Sequence, residues 1–453
     1  MRESTIKLGG EIMKLLQVMD LADTIHEGTA LYAEKGDRQA LTFLQSAVHA
    51  VETVVTGLEG AEVQKIRQAS QDFLKKKEFL TGGGRAEFLS AEGDWQTVFM
   101  PEAIRLLYQR LINAINQQCQ FPADIAGPLV ERVFTLPVSE NSKADMLIAA
   151  GHSCGFGAPE AAYQAIMEGF KIQHKGPSFF KLGDRIYEPS PQHTLEKCPV
   201  CGGEGETFFT ASSYLMLHYS SPFEPAKTWM KCQKCQNLFT KYYPKSFYFT
   251  EEIKQELLQP RSDQDYITEE RSNYISHWSA FLKHIRQYQP QKKVLEIGIG
   301  TGDFIACALE MGYEVQCVEL IREEAQKIAD ILGIPIWNCD FLRFETSEKF
   351  PLITMGDVIE HVTSPKDCLL KAYRLLEDDG ILWVSTPNYQ GSFTRLRKFS
   401  DAMWKEPYHV SWFSREGLEK LAEDCGFEVL DYAISSHYNG SMELTLRKLK
   451  KKV

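Results

Sequence analysis

The chain is poor in positive charge, which narrows the range of partners to be expected. Of its 453 residues, 50 are Lys or Arg and 61 are Asp or Glu, so the formal net charge is −11. Proteins that bind polyanions usually carry a basic domain or stripe. The basic clusters here are small and lie at Lys75–Lys77 and in the tail Lys448–Lys452. Nucleic acid is therefore disfavoured as a partner.

Long apolar runs and a recognisable secretory signal are also lacking. No run approaches the roughly 18–20 apolar residues that a membrane-spanning helix needs, so we expect no membrane span. Seven of the eleven cysteines are scattered singly, as suits a reducing compartment. We therefore expect a cytoplasmic protein. These single cysteines are Cys119, Cys154, Cys307, Cys317, Cys339, Cys368 and Cys425.

Strand signals are sparse in the first 190 residues, where helical patterns dominate. Apolar residues recur at spacings of three and four from Leu41 to Leu58, which predicts a helix that is buried against its neighbours. Further helices are predicted at Ile12–Ile25, Glu62–Leu80, Pro101–Gln118 and Pro159–Phe170. The pattern favours an N-terminal helical bundle over residues 1–190, and we expect it to recruit a protein partner or to present a carrier.

Two C-x-x-C pairs stand between Pro191 and residue 250. Cys198 and Cys201 form the first pair, Cys232 and Cys235 the second, and thirty residues separate them. Four thiolates in two such pairs are typical of a tetrahedral structural zinc site with no open position for a substrate. Two disulfides or a redox pair are the alternatives. The reducing compartment disfavours disulfides, so we predict a small zinc ribbon over residues 191–250.

A glycine-rich turn is the most informative feature of the second half. Val294 to Ile297 is a short apolar strand that contains Glu296, and it is followed by Gly298, Gly300, Thr301 and Gly302. Glycines permit backbone conformations that other residues avoid and let a ligand approach the main chain. A dinucleotide fingerprint requires a third glycine where Asp303 stands, and an acidic residue repels a pyrophosphate. A cationic cofactor without phosphate, S-adenosylmethionine, suits these carboxylates better.

Four more strands are predicted downstream, alternating with helices. The segment Tyr313–Leu320 contains Glu319 near its end, where a carboxylate would bridge two ribose hydroxyls and Leu320 would line the cofactor. Ile334–Cys339 leads into Asp340 and Phe341, which suit an adenine. The remaining strands are Phe350–Thr354, which leads to Asp357, and Gly380–Ser385. This alternation predicts a doubly wound parallel sheet over residues 291–453, reached through a helical connector at residues 251–290.

Taken together, these motifs resemble those of class I S-adenosylmethionine-dependent methyltransferases. Within that superfamily, the segment Asp357–His361 and the later run that begins at His409 resemble the branch that includes ubiquinone-pathway O-methyltransferases and bacterial sugar methyltransferases. The resemblance implies a Rossmann-like sheet and S-adenosyl-L-methionine as cofactor. It also implies roles for the candidate residues: the loop from Glu296 to Gly302 would hold the methionine moiety, Glu319 the ribose, and Asp340 with Phe341 the adenine. Asp357 would then lie beside the methyl group.

An alcohol or phenol acceptor must lose a proton during methyl transfer, and histidine is the natural base near neutral pH. His361 follows the fourth strand at the edge of the expected cleft. His409 lies in the aromatic stretch Trp404–Trp412, which is expected to form the acceptor wall. For both histidines the alternative is a role in orienting a loop through hydrogen bonds to the backbone.

The sequence thus predicts a multidomain α + α/β enzyme: a helical bundle, a zinc ribbon and a methyltransferase domain. The expected reaction is methyl transfer to a small molecule or a carrier-linked sugar, with surface-glycan modification as a possible setting. An RNA methyltransferase and a non-catalytic scaffold that binds the cofactor are the alternatives. The acceptor atom does not follow from the cofactor half, because fold and chemistry are separable.

Overall fold

The fold was taken from a computed structural model that describes residues 2–36, 38–80, 95–175, 186–187, 192–213, 220–221, 223–244, 272–436 and 440–450. The first part of the predicted connector and the glycines 82–84 lie outside these residues. The chain divides into two compact units: Met1–Lys181 with Phe209–Ser212, and Leu182–Phe208 with Ser213–Val453. Within the described residues, no helix combines the length and apolar character needed to cross a membrane.

The first unit is helical. Its helices are α1 (Arg2–Lys35), α2 (Arg38–Val55), α3 (Ala61–Leu80), α4 (Met100–Asn116), α5 (Ala123–Thr135), α6 (Glu140–Cys154) and α7 (Pro159–Gln173). The predicted stripe is explained by α2, whose buried residues Leu44, Val48, Val51 and Val55 recur at three- and four-residue spacing. Contacts of α1 with α2 and of α6 with α7 help to build one apolar core.

Helices α5 and α6 were not predicted from the sequence. Helix α1 was predicted only over Ile12–Ile25 and is longer than that segment. In α6 the buried residues lie on all sides, from Ala144 to Cys154. A helix that is apolar all round shows no one-sided stripe, so its pattern cannot be distinguished from other buried segments. The helical bundle itself is confirmed.

Short strands follow the helices along the chain. They are β1 (Ile186–Tyr187), β2 (Gln192–Thr194), β3 (Gly205–Ser212), β4 (Ser220–Ser221), β5 (Ala226–Cys232), β6 (Leu238–Thr240) and β7 (Tyr242–Pro244). The second half of β3 belongs to the first unit. A four-stranded sheet has the order β13-β6-β5-β3, and its outer strand β13 (Ser411–Trp412) comes from the C-terminal domain. In the antiparallel pairing of β13 with β6, Ser411 lies opposite Phe239 and Trp412 opposite Leu238. The ribbon sheet therefore includes a strand from far along the chain.

A seven-stranded sheet organises the C-terminal domain. Its strands are β8 (Lys293–Ile297), β9 (Glu314–Glu319), β10 (Ile336–Asn338), β11 (Phe350–Gly356), β12 (Leu376–Thr386), β14 (Phe427–Ile434) and β15 (Met442–Lys448). The spatial order is β10-β9-β8-β11-β12-β15-β14; the first five are parallel, and β15 is antiparallel to both β12 and β14. The predicted five-stranded parallel sheet is therefore extended by an antiparallel pair.

Helices cover both faces of this sheet. They are α8 (Ser272–Ile285), α9 (Asp303–Glu310), α10 (Arg322–Leu332), α11 (Pro365–Leu375), α12 (Ser392–Arg397) and α13 (Arg415–Asp424). One core packs α8 and α9 against the sheet through residues such as Trp278, Phe304 and Trp383. The other packs α11 and α13 against it and includes Phe239 of the ribbon. The predicted doubly wound, Rossmann-like architecture is confirmed.

The parallel strands explain where the site lies. Side chains that follow the carboxyl ends of parallel strands meet at one edge of the sheet, which is where ligands bind in open α/β folds. The predicted site residues lie at or just after the carboxyl ends of β8, β9, β10 and β11.

Candidate functional site

The glycine loop between β8 and α9 has a backbone that other residues would strain. Gly298, Gly300 and Gly302 have φ angles of +75°, +51° and +81°. A Cβ at Gly298 would lie 2.6 Å from Cγ2 of Val358, whereas one at Gly300 would meet nothing within 4 Å. Thr301 in the loop donates its hydroxyl to Asp303. The loop is therefore a cradle whose shape depends on glycine.

Glu296 lies beneath this loop at the end of β8. Its side chain is buried and accepts a hydrogen bond from the hydroxyl of Thr354 on the neighbouring strand β11. Burial raises the pKa of its carboxyl to about 8, and the nearby Glu319 acts in the same direction. A positive charge beside such a carboxyl favours its ionised form.

Glu319, at the end of β9, ties two segments together. Its two carboxylate oxygens accept the amide N–H groups of Ile299, at 3.0 Å, and Ile321, at 2.7 Å. The side chain is only 7% exposed, and burial raises its pKa. The following Leu320 is partly exposed, and its carbonyl accepts from Asn338. Glu319 thus holds the glycine loop in place through Ile299.

Asp340 and Phe341 begin a short 3₁₀ turn (Phe341–Arg343) after β10. The Asp340 carboxylate caps this turn by accepting the amide of Leu342 at 2.8 Å. Phe341 is buried, and the strand before it is shorter than the predicted Ile334–Cys339. Asp340 and Phe341 thus follow the third parallel strand at the same sheet edge as Glu319.

The segment after β11 carries a strained acidic residue. Asp357 has a φ of +50°, which a non-glycine residue rarely adopts. Its amide donates to the carbonyl of Ser385 at 2.9 Å, while its Oδ1 is buried and meets no hydrogen-bond partner in the described part of the chain. Burial raises the pKa of Asp357 to about 6, and the charge of Glu443 adds to this. Strain of this kind persists where the surrounding structure enforces it, often at functional sites.

The two candidate histidines meet, although 47 residues separate them along the chain. The ring centroids of His361 and His409 are 4.7 Å apart in an edge-to-face arrangement. Nδ1 of His361 lies 3.3 Å from the carbonyl oxygen of Tyr408. If that nitrogen carries the proton, Nε2 of His361 keeps its lone pair. Burial lowers the pKa of His361 to about 4 and that of His409 well below its usual range, so both rings are neutral at pH 7.

Glu360 completes a compact group with these histidines. One carboxylate oxygen of Glu360 and one ring nitrogen each of His361 and His409 lie within 4.8 Å of one another. Glu360 accepts from Thr386 at 2.9 Å through Oε2. Its Oε1 and the Nδ1 of His409 are buried and lack a hydrogen-bond partner among the residues that the structure describes. Two neutral imidazoles beside a carboxylate can take up a proton, and they are also ligands that divalent metals accept.

The four ribbon cysteines converge as the sequence predicted. One sulfur from each of Cys198, Cys201, Cys232 and Cys235 lies within 4.8 Å of the others. The Cys198–Cys235 and Cys201–Cys232 sulfur pairs are 3.7 and 3.4 Å apart, and all four cysteines are free. A disulfide requires about 2.05 Å, whereas a tetrahedron of bonds of about 2.3 Å around zinc places the sulfurs nearly 3.8 Å apart. The amides of Lys234 and Cys235 point at the sulfur of Cys232, each at 3.4 Å. The four side chains therefore fit a zinc ion.

The aromatic stretch Trp404–Trp412 does not form the open wall that its composition suggested. Trp412 is fully buried and packs on Trp229 of the ribbon, with ring centroids 5.7 Å apart. The indole N–H of Trp229 donates to the carbonyl of Trp404 at 3.0 Å. Trp229 and Trp412 therefore form an apolar contact between the ribbon and the sheet domain. Burying large aromatic rings against each other stabilises such a contact.

Sequence reasoning missed Glu360 and Lys227. Glu360 lies in the motif Asp357–His361, but the prediction assigned a catalytic role there only to the adjacent His361. Lys227 gave no signal, because a single lysine in a short strand is usually solvent-exposed. In the structure it is 4% exposed, and burial lowers the pKa of its ammonium group to about 7.

The C-terminal part of the chain is similar to known methyltransferases. Residues 267–432 match the family model of a methyltransferase domain. A stretch of 108 residues is 32% identical to the ubiquinone biosynthesis O-methyltransferase of Actinobacillus pleuropneumoniae, covering 21% of this chain and 46% of that protein. The same enzyme of Glaesserella parasuis is 32% identical over 109 residues, with the same coverage. The chain thus spans less than half the length of these relatives.

Solved methyltransferases also resemble it. An N-methyltransferase from Bradyrhizobium japonicum in complex with S-adenosyl-L-homocysteine is 14% identical, with a TM-score of 0.33; the match covers 42% of this chain and 96% of that one. Magnesium protoporphyrin IX methyltransferase from Synechocystis is 15% identical, with a TM-score of 0.33 and coverage of 45% and 91%. The family match and the curated relatives thus make the C-terminal part of the chain similar to methyltransferase domains.

Proposed function

We propose that this protein transfers a methyl group from S-adenosylmethionine to a small molecule or to a sugar on a carrier. The observation that carries the proposal is the joining of Glu319 to the glycine loop at the carboxyl edge of the sheet. We assign the ribose to this carboxylate and the close approach of the ligand to the glycine backbone beside it. The methyltransferase family match covers the same residues.

Within this proposal each candidate residue has a role. Glu296 and the loop Gly298–Gly302, with Thr301, hold the methionine moiety of the cofactor. Glu319 binds the ribose hydroxyls, and Leu320 packs beside them. The carboxylate of Asp340 and the ring of Phe341 hold the adenine, and Asp357 lines the pocket next to the methyl group. The buried carboxyl of Glu296 suits a cationic ligand because its ionisation is then stabilised by the ligand's charge.

Methyl transfer is an in-line displacement. The acceptor atom forms a bond to the methyl carbon, the carbon–sulfur bond breaks, and the sulfonium becomes the neutral thioether of S-adenosylhomocysteine. Holding the two reactants in line supplies much of the rate. For a hydroxyl acceptor, we assign proton removal to Nε2 of His361, in the tautomer whose Nδ1–H donates to the carbonyl of Tyr408.

The group of Glu360, His361 and His409 also supports a second role for these histidines. Oε1 of Glu360 and Nδ1 of His409 lack a hydrogen-bond partner among the described residues, and both are atoms that can ligate a divalent cation. These three residues would hold the cation, which when bound would lower the pKa of an acceptor hydroxyl. Magnesium or manganese dependence of transfer, with loss of activity in chelator, distinguishes this role from a metal-free base.

The four cysteines are proposed to bind one structural zinc ion, with no open position for a substrate. The helical bundle is proposed to recruit a partner or to present the carrier of the acceptor, with surface-glycan modification as the setting. An RNA acceptor is the second candidate, but the net charge of −11 opposes it. A scaffold that binds the cofactor without reaction is the third.

The central experiment measures cofactor binding and methyl transfer separately. Calorimetry with S-adenosylhomocysteine reports binding, and labelled S-adenosylmethionine with nucleotide sugars, quinone precursors, RNA and glycosylated protein reports the acceptor. We expect His361→Ala to slow transfer about 100-fold or more, within the range for general base catalysis, with cofactor affinity nearly unchanged.

The control is His284→Ala, which removes a half-exposed histidine of α8 that pairs with Asp431 at 2.9 Å and is not one of the candidate site residues. This variant should retain full transfer. No binding of S-adenosylhomocysteine at tens of micromolar would refute the cofactor assignment, and full transfer by His361→Ala would remove this residue as the base.

A further inference from the structure

One buried lysine of the ribbon contacts the segment that carries His409. Lys227 is the second residue of β5, and it is 4% exposed. Its ammonium nitrogen lies 4.6 Å above the ring of Trp229 on the same strand. A buried lysine is costly unless its charge meets polar partners, so the position of those partners indicates what the residue does.

The partners are two backbone carbonyls, separated from Lys227 by about 180 residues. The ammonium group donates to the carbonyl of Pro407 at 3.2 Å and to that of His409 at 2.5 Å. Glu406 is the nearby charge of opposite sign. A lysine has three donors, and two of them are spent on the turn that presents the imidazole of His409.

The remaining backbone groups of this turn are held from two directions. On the ribbon side, the amide of Thr240 donates to the carbonyl of Val410 at 2.9 Å. On the sheet-domain side, the amides of Val410 and Ser411 donate to the carbonyl of Glu360, at 2.8 and 3.0 Å. The turn therefore has a single position, set jointly by the ribbon and by the motif after β11.

We propose that Lys227 is a positioning residue for the acceptor half of the site, so that the ribbon takes part in placing His409 against Glu360 and His361. This inference rests on the proposed function, because it gives His409 its purpose. It assigns to the ribbon a role beyond that of a separate structural module: its strand β6 pairs with β13, and its lysine fixes the turn just before β13.

The test replaces the ammonium by an apolar group of similar length, Lys227→Met, in the full-length chain without cofactor. Hydrogen exchange read by mass spectrometry should show the amides of Val410 and Ser411 exchanging about tenfold faster or more. NMR of ¹³C-labelled histidine rings should show the signals of His361 and His409 shifted and the other histidine signals in place. The His361→Gln and His409→Gln variants assign the two signals.

The matched control is Lys231→Met, the same substitution four residues further along β5. Lys231 lies over the ring of Phe208 at 5.6 Å, so its loss should leave the histidine signals and the exchange rates as in the wild type. The conservative variant Lys227→Arg retains donors toward the carbonyls and should restore both readouts. This rescue separates a positioning role from a general loss of packing.

The outcomes are decisive in both directions. Wild-type exchange and wild-type histidine signals in Lys227→Met would overturn the proposal. If Lys227→Met does not fold, Lys227→Arg provides the test. In that variant, His361 and His409 signals that are displaced from the wild-type positions as far as those of an unfolded chain would also overturn the proposal. Failure of the wild type to bind S-adenosylhomocysteine would refute the cofactor assignment instead, and these cofactor-free readouts would remain interpretable.

Discussion

Replacing Glu319 by glutamine should weaken cofactor binding while leaving the fold intact. Its carboxylate accepts the amides of Ile299 and Ile321 and is 7% exposed. Glutamine has the same shape but offers one acceptor oxygen, and its NH₂ group would face one of these N–H donors. The proposed contact with the ribose hydroxyls also loses its charge.

The magnitude follows from the number of bonds affected. A hydrogen bond to a charged group contributes about 1.5–3 kcal/mol, so the loss of one such bond to the cofactor weakens binding roughly 10- to 150-fold. Losing the bond that holds Ile299 should in addition loosen the glycine loop. We therefore expect Glu319→Gln to raise the Kd for S-adenosylhomocysteine by at least about tenfold.

Calorimetry at a fixed pH measures this change, and thermal unfolding checks that the variant is folded. The control is Glu314→Gln, the same substitution at the opposite end of β9, where the side chain is 63% exposed and pairs with Lys293. It should bind the cofactor product as the wild type does. A folded Glu319→Gln protein with a Kd within about twofold of the wild type would refute the reasoning, because that difference corresponds to only a few tenths of a kcal/mol.

Three further changes test other parts of the structure. Gly298→Ala should lower stability by about 1–2 kcal/mol or more, because of the +75° φ and the clash with Val358; Gly300→Ala, with no such clash, should cost less in thermal unfolding. Glu296 holds its proton up to a pH near 8 in the folded state, but only to about 4.5 when unfolded. Stability should therefore fall as pH rises across this window, and Glu296→Gln should flatten the dependence in denaturant titrations. Purified protein should contain one zinc ion per chain, and Cys232→Ser should reduce it in metal analysis.

Each of these has a contrary result. Equal unfolding temperatures for Gly298→Ala and Gly300→Ala would show that the clash with Val358 is relieved at no cost. An unchanged pH dependence in Glu296→Gln would mean that other groups produce it. A zinc content well below one per chain would defeat the ribbon assignment.

The C-terminal sheet could be predicted because its information is local. Each of its signals lies within about ten residues of sequence. These signals are alternate glycines after an apolar strand, a carboxylate at the strand's end and a helix of ordinary length. Glu296, Glu319, Asp340 and Asp357 all follow or end strands for this reason, and parallel pairing then brings them to one edge. The domain limits and the roles of these residues stay predictions.

What the sequence could not reveal depends on contacts between distant segments. The histidines His361 and His409 were predicted separately, and contacts between distant segments, such as the pairing of β13 with β6, bring them together. For the same reason the tryptophans of Trp404–Trp412 were expected at an open wall and are buried instead. An aromatic-rich composition predicts that the segment is buried, but it does not predict which surface the segment packs against.

The amino-acid sequence by itself determined the parallel sheet of the C-terminal domain and indicated a common ligand for the four cysteines, because short motifs specify local backbone and ligand chemistry. The tertiary structure alone decided that the ribbon completes its sheet with Ser411 and Trp412 and that Lys227 reaches the carbonyl of His409. Those contacts join residues about 180 positions apart, and their partners are chosen by shape and burial in the folded core rather than by any pattern along the chain.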